Sequence, residues 1–320
     1  MRALITGGAG FLGSHLADAL LARGDEVTIL DTASDHKVRH LRGHPRLRHV
    51  RDSVLNRGIL EGLVAWSDLA YHLAAVVGVE HYVGDPYQVL TVNINGTQEV
   101  LAAAFRHGKK VLFSSTSEVY GRSTRVPFEE DGDRVLGSTR IDRWCYATSK
   151  AAAEHLCFAY AGLGLPVVIL RYFNVYGPRL DRMDRGRVIT IFLGQLLRGK
   201  PLTVIGDGRQ TRAFTYVEDA IRATVEAGLR PAAVGQVVNV GSDEEVSIAD
   251  LAELMVRLAG SPSAIEFVSQ ESVYGPHYED IPRRVPSTRR MRELLGVKAE
   301  ISLEEGLRRT IEWFRQEGAD

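Results

Sequence analysis

Apolar residues fall into short runs along the first half of the chain, and the stretches between them carry helical spacing. Arg2–Thr6, Val27–Asp31, Leu47–Asp52, Leu69–Ala74, Lys110–Ser115 and Pro166–Tyr172 are short enough and apolar enough to predict strands. Between the first two, Phe11–Ala22 sets Leu12, Leu16, Leu20 and Leu21 at helical intervals and stops at Gly24. Near-continuous apolar strands separated by helices predict a parallel sheet covered on both faces, an α/β doubly wound plan.

The texture changes from about Asn174. Arg179–Arg187 (RLDRMDRGR) predicts a charged loop, followed by a helix through Leu197 and a strand at Leu202–Ile205. Asp219–Gly228 and Gln236–Gly241 predict one more helix and strand that rejoin the main sheet. Ile248–Leu258 predicts a helix, Ala264–Val268 a strand, and Leu303–Phe314 a closing amphipathic helix. No internal repeat or low-complexity tract interrupts this pattern. The expected division is residues 1–173 plus about 213–242 in one large domain. Residues 174–212 and 243–320 would form a smaller, interleaved α/β C-terminal domain for substrate.

Composition narrows the function. Lys+Arg 39 against Asp+Glu 40 gives a net charge of −1, which removes the electrostatic case for nucleic acid or an anionic membrane as partner. The longest apolar runs are far too short to span a bilayer. Cys145 and Cys157 are the only cysteines, so neither a disulfide framework nor a cysteine zinc site is expected. No clustered spacing makes His72 or His107 a metal ligand, and Cys145 reads as a small packed residue. With a strand starting at Arg2 there is no room for a leader peptide, and a cytoplasmic location is expected. The 31 glycines call for either many tight turns or backbone brought close to a ligand.

The first glycine cluster favours a ligand. Gly7-Gly8-Ala9-Gly10-Phe11-Leu12-Gly13 sits between the first strand and first helix, and Asp31 ends the second strand 18 residues past Gly13. Small residues let backbone approach a pyrophosphate, whose charge rests on the helix N-terminus. Asp31 suits a ribose diol and repels a 2′-phosphate, so NAD is favoured over NADP. This is the Rossmann-type arrangement. Asp52, after the third strand, is within reach of an adenine amino group or is a simple solvated turn residue.

Two later segments carry candidate chemistry. Tyr146 and Lys150 lie four residues apart on one helical face. A phenol titrates near 10, so its use as a base near neutral pH asks for about 4 kcal/mol of help. A lysine ammonium and a positive nicotinamide ring are a sensible source of it. Ser114–Gly121 (SSTSEVYG) follows the fifth strand at its carboxyl end, where such sheets bind ligands. A helix cap with Glu118 as partner is the other reading of that run.

GGAGFLG, STSEVYG, YATSK and the later Arg171-Tyr172-Phe173-Asn174-Val175-Tyr176-Gly177-Pro178, in this order, resemble the extended short-chain dehydrogenase/reductases that modify nucleotide sugars with NAD. The likeness spans essentially the whole chain. It implies that Tyr146 is the base, that Lys150 lowers its pKa and holds the nicotinamide ribose, and that Thr116 binds the sugar 4-hydroxyl. The implied cofactor contacts are Gly7, Gly10, Phe11, Leu12, Gly13, Asp31, Asp52, Leu73, Ala74, Ser114, Tyr146, Lys150 and Tyr172. Such enzymes oxidise sugar C4, act on the 4-keto sugar, and usually return the hydride.

Within that group, 4,6-dehydratases of deoxythymidine nucleotides carry Asp-Glu where this chain has Ser117-Glu118. The chain is more similar to UDP-glucuronate decarboxylases, and more loosely to UDP-apiose/xylose synthases. Those have the Ser-Glu pair, a tyrosine after the fourth strand (Tyr82 here) and an arginine in an Arg-x-Pro motif (Arg284-Val285-Pro286 here). Arg143-Trp144 and Gly177-Pro178-Arg179 are similar too. The chain departs from them at Ala75–Val79, where they have a proline-rich stretch. The resemblance implies that Tyr82 orients a substrate carboxylate. Glu118 would be a like charge that weakens its binding relative to the transition state, and Arg284 a partner for that carboxylate or for proton delivery at C5. Pro201–Tyr216 resembles the uridine- and diphosphate-binding region, with Ser117, Asn174, Arg187, Thr203, Arg212 and Tyr216 as substrate contacts. A UDP-sugar 4-epimerase is the alternative, and a non-catalytic NAD-binding sensor a third reading. A homodimer through the helices around Asn95–Arg106 and Tyr146–Ala161 is expected.

Overall fold

The strand-forming runs pair into one seven-stranded sheet. The computed structural model describes residues 1–180, 183, 186–274 and 281–317. In chain order the first six strands are β1 (Arg2–Thr6), β2 (Glu26–Asp31), β3 (Leu47–Arg51), β4 (Leu69–His72), β5 (Lys110–Thr116) and β6 (Val167–Tyr172). The later strands are β7 (Val175–Tyr176), β8 (Leu202–Ile205), β9 (Thr211–Ala213), β10 (Thr215–Tyr216), β11 (Val237–Val240), β12 (Glu245–Ser247), β13 (Ile265–Val268) and β14 (Arg283–Arg284). The sheet order is β11-β6-β5-β4-β1-β2-β3, and every pairing in it is parallel. Strand order reverses between β1 and β4, and the carboxyl ends at that point form the crevice where such sheets bind ligands.

Side-chain alternation sorts the strands into two cores. Ala3, Ile5 and Leu112 face the helices α1 (Phe11–Ala22) and, later in the chain, α8 (Val217–Leu229). Leu4, Val111 and Phe113 face the opposite layer, built from α2 (Arg57–Trp66), α5 (Gly96–Arg106) and α6 (Cys145–Gly162). The short α3 (Val79–Gly84) and α4 (Pro86–Leu90) precede α5, with a π turn at Thr91–Asn95 between α4 and α5. α7 (Val188–Leu197) follows the charged segment, and α8 (Val217–Leu229) packs on α1 before β11 rejoins the sheet beside β6. α9 (Ile248–Ala259), α10 (Gln270–Tyr274), α11 (Arg289–Leu295) and α12 (Leu303–Glu317) complete the chain.

Strand and helix positions agree with the sequence pattern to within a few residues, and the differences have causes. β3 stops at Arg51 because Asp52 turns to accept hydrogen bonds from Ser53 N at 2.7 Å and Asn56 Nδ2 at 3.0 Å. β4 stops at His72, and the chain beyond it opens toward the crevice. The antiparallel β12-β9 pair and the parallel β9-β14 and β8-β13 pairs build small sheets that hang over the carboxyl ends of the main one. The charged segment Arg179–Arg187 lies partly outside the described residues.

Candidate active site

A cleft of about 1440 Å³ opens between the carboxyl ends of the main strands and the small sheets. It exceeds the roughly 300–1,000 Å³ of a single-ligand pocket and so has room for two ligands.

One half of the cleft is built on the loop after β1. Gly7 has φ +73, and a Cβ there would stand 2.6 Å from Ala74 N. A Cβ on Gly13 would stand 2.3 Å from Gly7 O. Only bare backbone lets the loop fold this tightly. α1 starts at Phe11 without a side-chain cap, which leaves its first amides for a ligand. Asp31 is held at the end of β2 by Ala9 N and Ala33 N, each at 2.9 Å, one on each carboxylate oxygen. Each oxygen keeps acceptor capacity toward the cleft. Asp52 also lines the cleft, although both its oxygens serve the turn into α2. Leu73, Ala74, Ser114 and Tyr172 line the floor.

The other half is set by β5 and α6. Thr116 ends β5, and its Oγ1 accepts from Glu118 N at 3.2 Å, starting the 3-10 turn Ser117–Tyr120 that directs Glu118 into the cleft. Tyr146 and Lys150 share one face of α6. The Tyr146 phenol hydrogen-bonds Thr116, and Lys150 Nζ donates to Ser114 O at 2.8 Å. Burial lowers the Lys150 ammonium to about 8. Burial and the Glu118 charge push Tyr146 up to about 12, against the pull of Arg187, the Thr116 hydrogen bond and Arg143. The expectation gave Lys150 the task of lowering that pKa. In the ligand-free fold the strongest downward influences come instead from Arg187, Thr116 and Arg143.

Glu118 requires a second correction. It is not a lone like charge in a dry pocket. Arg284 Nη1 takes its Oε1 and Arg143 Nη1 its Oε2, both at 2.7 Å. Burial by itself would raise this carboxyl, yet Arg284 and Arg143 hold it at about 2. Arg284 is buried. Tyr82 stacks on Tyr146, with ring centroids 4.9 Å apart and planes 9° apart, and burial raises its phenol beyond the usual range.

The remaining predicted contacts mostly gather at the same cleft. Ser117, Asn174, Arg187, Thr203 and Arg212 line it. Asn174 takes φ +40 and donates to Ala213 O at 2.8 Å. The Arg187 guanidinium lies 5.8 Å from the Phe11 ring. Gln195 brackets Thr203, donating to its Oγ1 and accepting from its N, both at 3.0 Å. Tyr216 is the exception. It packs on Tyr176 at 5.7 Å and beside Gly306 of α12, away from the cleft. β9 and β10 pair with different partners, so Phe214 lines the cleft while Tyr216 turns into the core. Sequence reasoning gave no role to Arg143, Gln195 or Lys37, all at the cleft. The signals for Arg143 were its place three residues ahead of the candidate base and the likeness of Arg143-Trp144 to the decarboxylases.

Residues 3–241 match the model of the NAD dependent epimerase/dehydratase family. The chain belongs to this family. Along 318 residues it is 43% identical to the UDP-N-acetyl-alpha-D-glucosaminuronate decarboxylase of Bacillus cytotoxicus, covering 98% of both chains. It is 39% identical to UDP-glucuronic acid decarboxylase 1 of Xenopus tropicalis, covering 99% of this chain and 72% of that one. Among solved structures it resembles the UDP-glucuronic acid 4-epimerase of Bacillus cereus, in complex with UDP-glucuronic acid and NAD. The TM-score is 0.89 and the identity 32%, over 99% of this chain and 100% of that one.

The NAD that gives this family its name fits the first half of the cleft. The glycine cradle leaves no room for a Cβ, the α1 amides face the cleft, and Asp31 offers acceptors where an adenosine ribose would lie. Among the described residues, no group of three or more His, Cys, Asp or Glu side chains is placed to hold a metal ion.

Proposed function

We propose that the protein decarboxylates a UDP-hexuronate through a 4-keto intermediate, with UDP-glucuronate or its 2-N-acetylated counterpart as substrate. The observation that carries this reading is the Arg143–Glu118–Arg284 trio, facing the Tyr146 end of the cleft. With Glu118 ionised, two guanidiniums and one carboxylate give the trio one net positive charge. Such a wall suits a sugar that carries a carboxylate at C6 and not a neutral hydroxymethyl group. The decarboxylase relatives support the same reading.

Gly7, Gly10, Phe11, Leu12 and Gly13 would hold the NAD pyrophosphate, Asp31 the adenosine ribose and Lys150 the nicotinamide ribose. Bound NAD supplies a hydride acceptor beside sugar C4. Tyr146 removes the 4-hydroxyl proton, with Thr116 holding that oxygen. Once C4 is a ketone, the uronate is a β-keto acid, and the C5–C6 bond breaks to give carbon dioxide and an enolate. Arg284 orients the carboxylate and oversees reprotonation at C5, while Tyr82 bounds the pocket. Arg187 and Arg212 take the diphosphate, and Ser117, Asn174 and Thr203 the rest of the sugar nucleotide. Residues 174–212 and 243–320 would thus serve mainly the substrate.

Incubation with NAD and each uronate, followed by mass, tests this reading: loss of carbon dioxide is expected. A 4-epimerase is the second reading, favoured by the likeness to the Bacillus cereus enzyme, and a mass-neutral product would establish it. We also infer a homodimer through α5 and α6. Phe105 and Phe158 are 44% and 45% exposed on those helices, and Phe105 packs edge-on against Tyr160 across them. No helix among the described residues is long and apolar enough to cross a membrane. Cys145 and Cys157 are both free thiols, which suits the reducing cytoplasm.

A further inference from the structure

Arg143 sits on the 3-10 turn Asp142–Trp144 that leads directly into α6, three residues ahead of Tyr146. It is only 4% exposed. Besides holding Glu118 Oε2, its guanidinium lies 6.0 Å from the Tyr82 ring centroid and 5.3 Å from that of Trp144. Tyr82 in turn stacks on Tyr146. One side chain therefore touches both the carboxylate and the aromatic backing of the base. A planar guanidinium wedged against rings has little freedom left, so the single ion-pair contact it makes through Nη1 holds Glu118 in one place better than a mobile ammonium can.

We propose that Arg143 is a positioning residue for the decarboxylation. It locks Glu118 and the Tyr82–Tyr146 stack so that Arg284 meets the substrate carboxylate while Tyr146 meets the 4-hydroxyl. This rests on the uronate reading above. Glu118 has two oxygens and two guanidiniums. Without Arg143, the carboxylate is free to swing with Arg284, and the Tyr82 ring loses the cation beside it. The groups that act on the Tyr146 phenol come from several elements. Glu118, on the turn after β5, opposes its ionisation. Arg187 ahead of α7, Arg143 ahead of α6 and the Thr116 hydroxyl at the end of β5 favour it, and Tyr82 of α3 stacks on its ring.

The test compares wild type, Arg143→Lys and Arg143→Met, with NAD and either UDP-glucuronate or UDP-N-acetylglucosaminuronate. It reads carbon dioxide release, KM, the pH profile of kcat and Tm. Arg143→Met should lower kcat about 100-fold while KM moves less than about threefold. The acidic limb of its kcat profile should shift up by about half a pH unit, because a positive neighbour of Tyr146 is gone. Arg143→Lys should bring the limb back while kcat stays at least about tenfold low, since the charge returns without the flat group packed on the Tyr82 and Trp144 rings. This variant decides alone if the methionine protein does not fold. A kcat and a pH profile within twofold of wild type in either variant, or a drop confined to Tm, overturns the proposal. Wild type that releases carbon dioxide from neither sugar overturns the uronate reading and this proposal together. An active wild type indifferent to Arg143 overturns this proposal alone.

Discussion

At the scale of single residues, the proposed chemistry asks Tyr146 to act as a base despite a burial that pushes its phenol up to about 12. Bringing that phenol into use calls for the cations of the complete complex around it, and its hydrogen bond to Thr116 places it at the end of β5. Tyr146→Phe should therefore abolish turnover by at least about 1,000-fold while NAD still binds, as followed by NAD titration and product assay. An active phenylalanine variant would remove Tyr146 from the mechanism. The candidate residues were legible because they fall in contiguous motifs. Their charge partners were not. Glu118 meets Arg143 from a distant turn and Arg284 from the last strand, and only the folded chain brings the three together. Tyr216 misled for a related reason: it follows the uridine-region motif in sequence, but the strand break before it points its ring into the α12 packing.

At the scale of elements, what holds α6 against β5 and β6 is a buried polar network. Arg171 of β6 grips Glu154 of α6 through Nε at 2.9 Å and Nη2 at 2.6 Å. Its Nη1 donates to Tyr120 OH at 2.9 Å, and Tyr120 donates to Asn239 Oδ1 at 2.7 Å. Ser115 of β5 also donates to Glu154. Both members of the ion pair are buried, so removing one leaves the other charge without its partner. Glu154→Gln should cost on the order of 3–5 kcal/mol in urea unfolding. A change below about 1 kcal/mol would mean that the pair is not fully desolvated. The long apolar strands were readable because both their faces are buried. β9, β10 and β14, at two or three residues each, have no periodicity to read. The π turn at Thr91–Asn95 left no sequence signal either. Yet it turns Asn93 inward to hold Val76 N at 2.8 Å and Ser149 Oγ at 3.0 Å, tying the cofactor floor to α6.

At the scale of the whole molecule, buried histidines set the acid limit of stability. His72 is fully enclosed between Thr6 and Thr97. Thr97 Oγ1 donates to Asn93 O at 2.7 Å, so it accepts from His72 Nε2, and in the neutral ring His72 Nδ1 then accepts from Thr6 Oγ1. The ring is neutral in this arrangement, and burial first, then Lys150, lowers it to about 3. The unfolded chain takes up this proton near pH 6.5 and the folded chain does not. Folding therefore loses stability as pH falls from 6.5 toward 3, on the order of 3 kcal/mol by pH 4. Glu118, held at about 2, keeps its ion pairs over most of that window. Urea unfolding at pH 7.5, 5.5 and 4.5 should show this loss, and His72→Gln should remove about half of it, the rest belonging to His15, which burial lowers to about 4. A wild-type stability that does not fall with pH would show that His72 is protonated in the fold.

In the proposed reading the two halves of the cleft would bring an oxidising cofactor to one end of a sugar and a positively charged wall to the other. The central claim is that the sugar's carboxyl group leaves. Incubating the protein and NAD with UDP-glucuronate labelled at C6, and in parallel with the 2-N-acetylated uronate, tests it most directly. Label should appear as carbon dioxide, and the nucleotide product should be a pentose or 4-keto-pentose. Label retained in a nucleotide of unchanged mass, or turnover only of neutral UDP-hexoses, would contradict it.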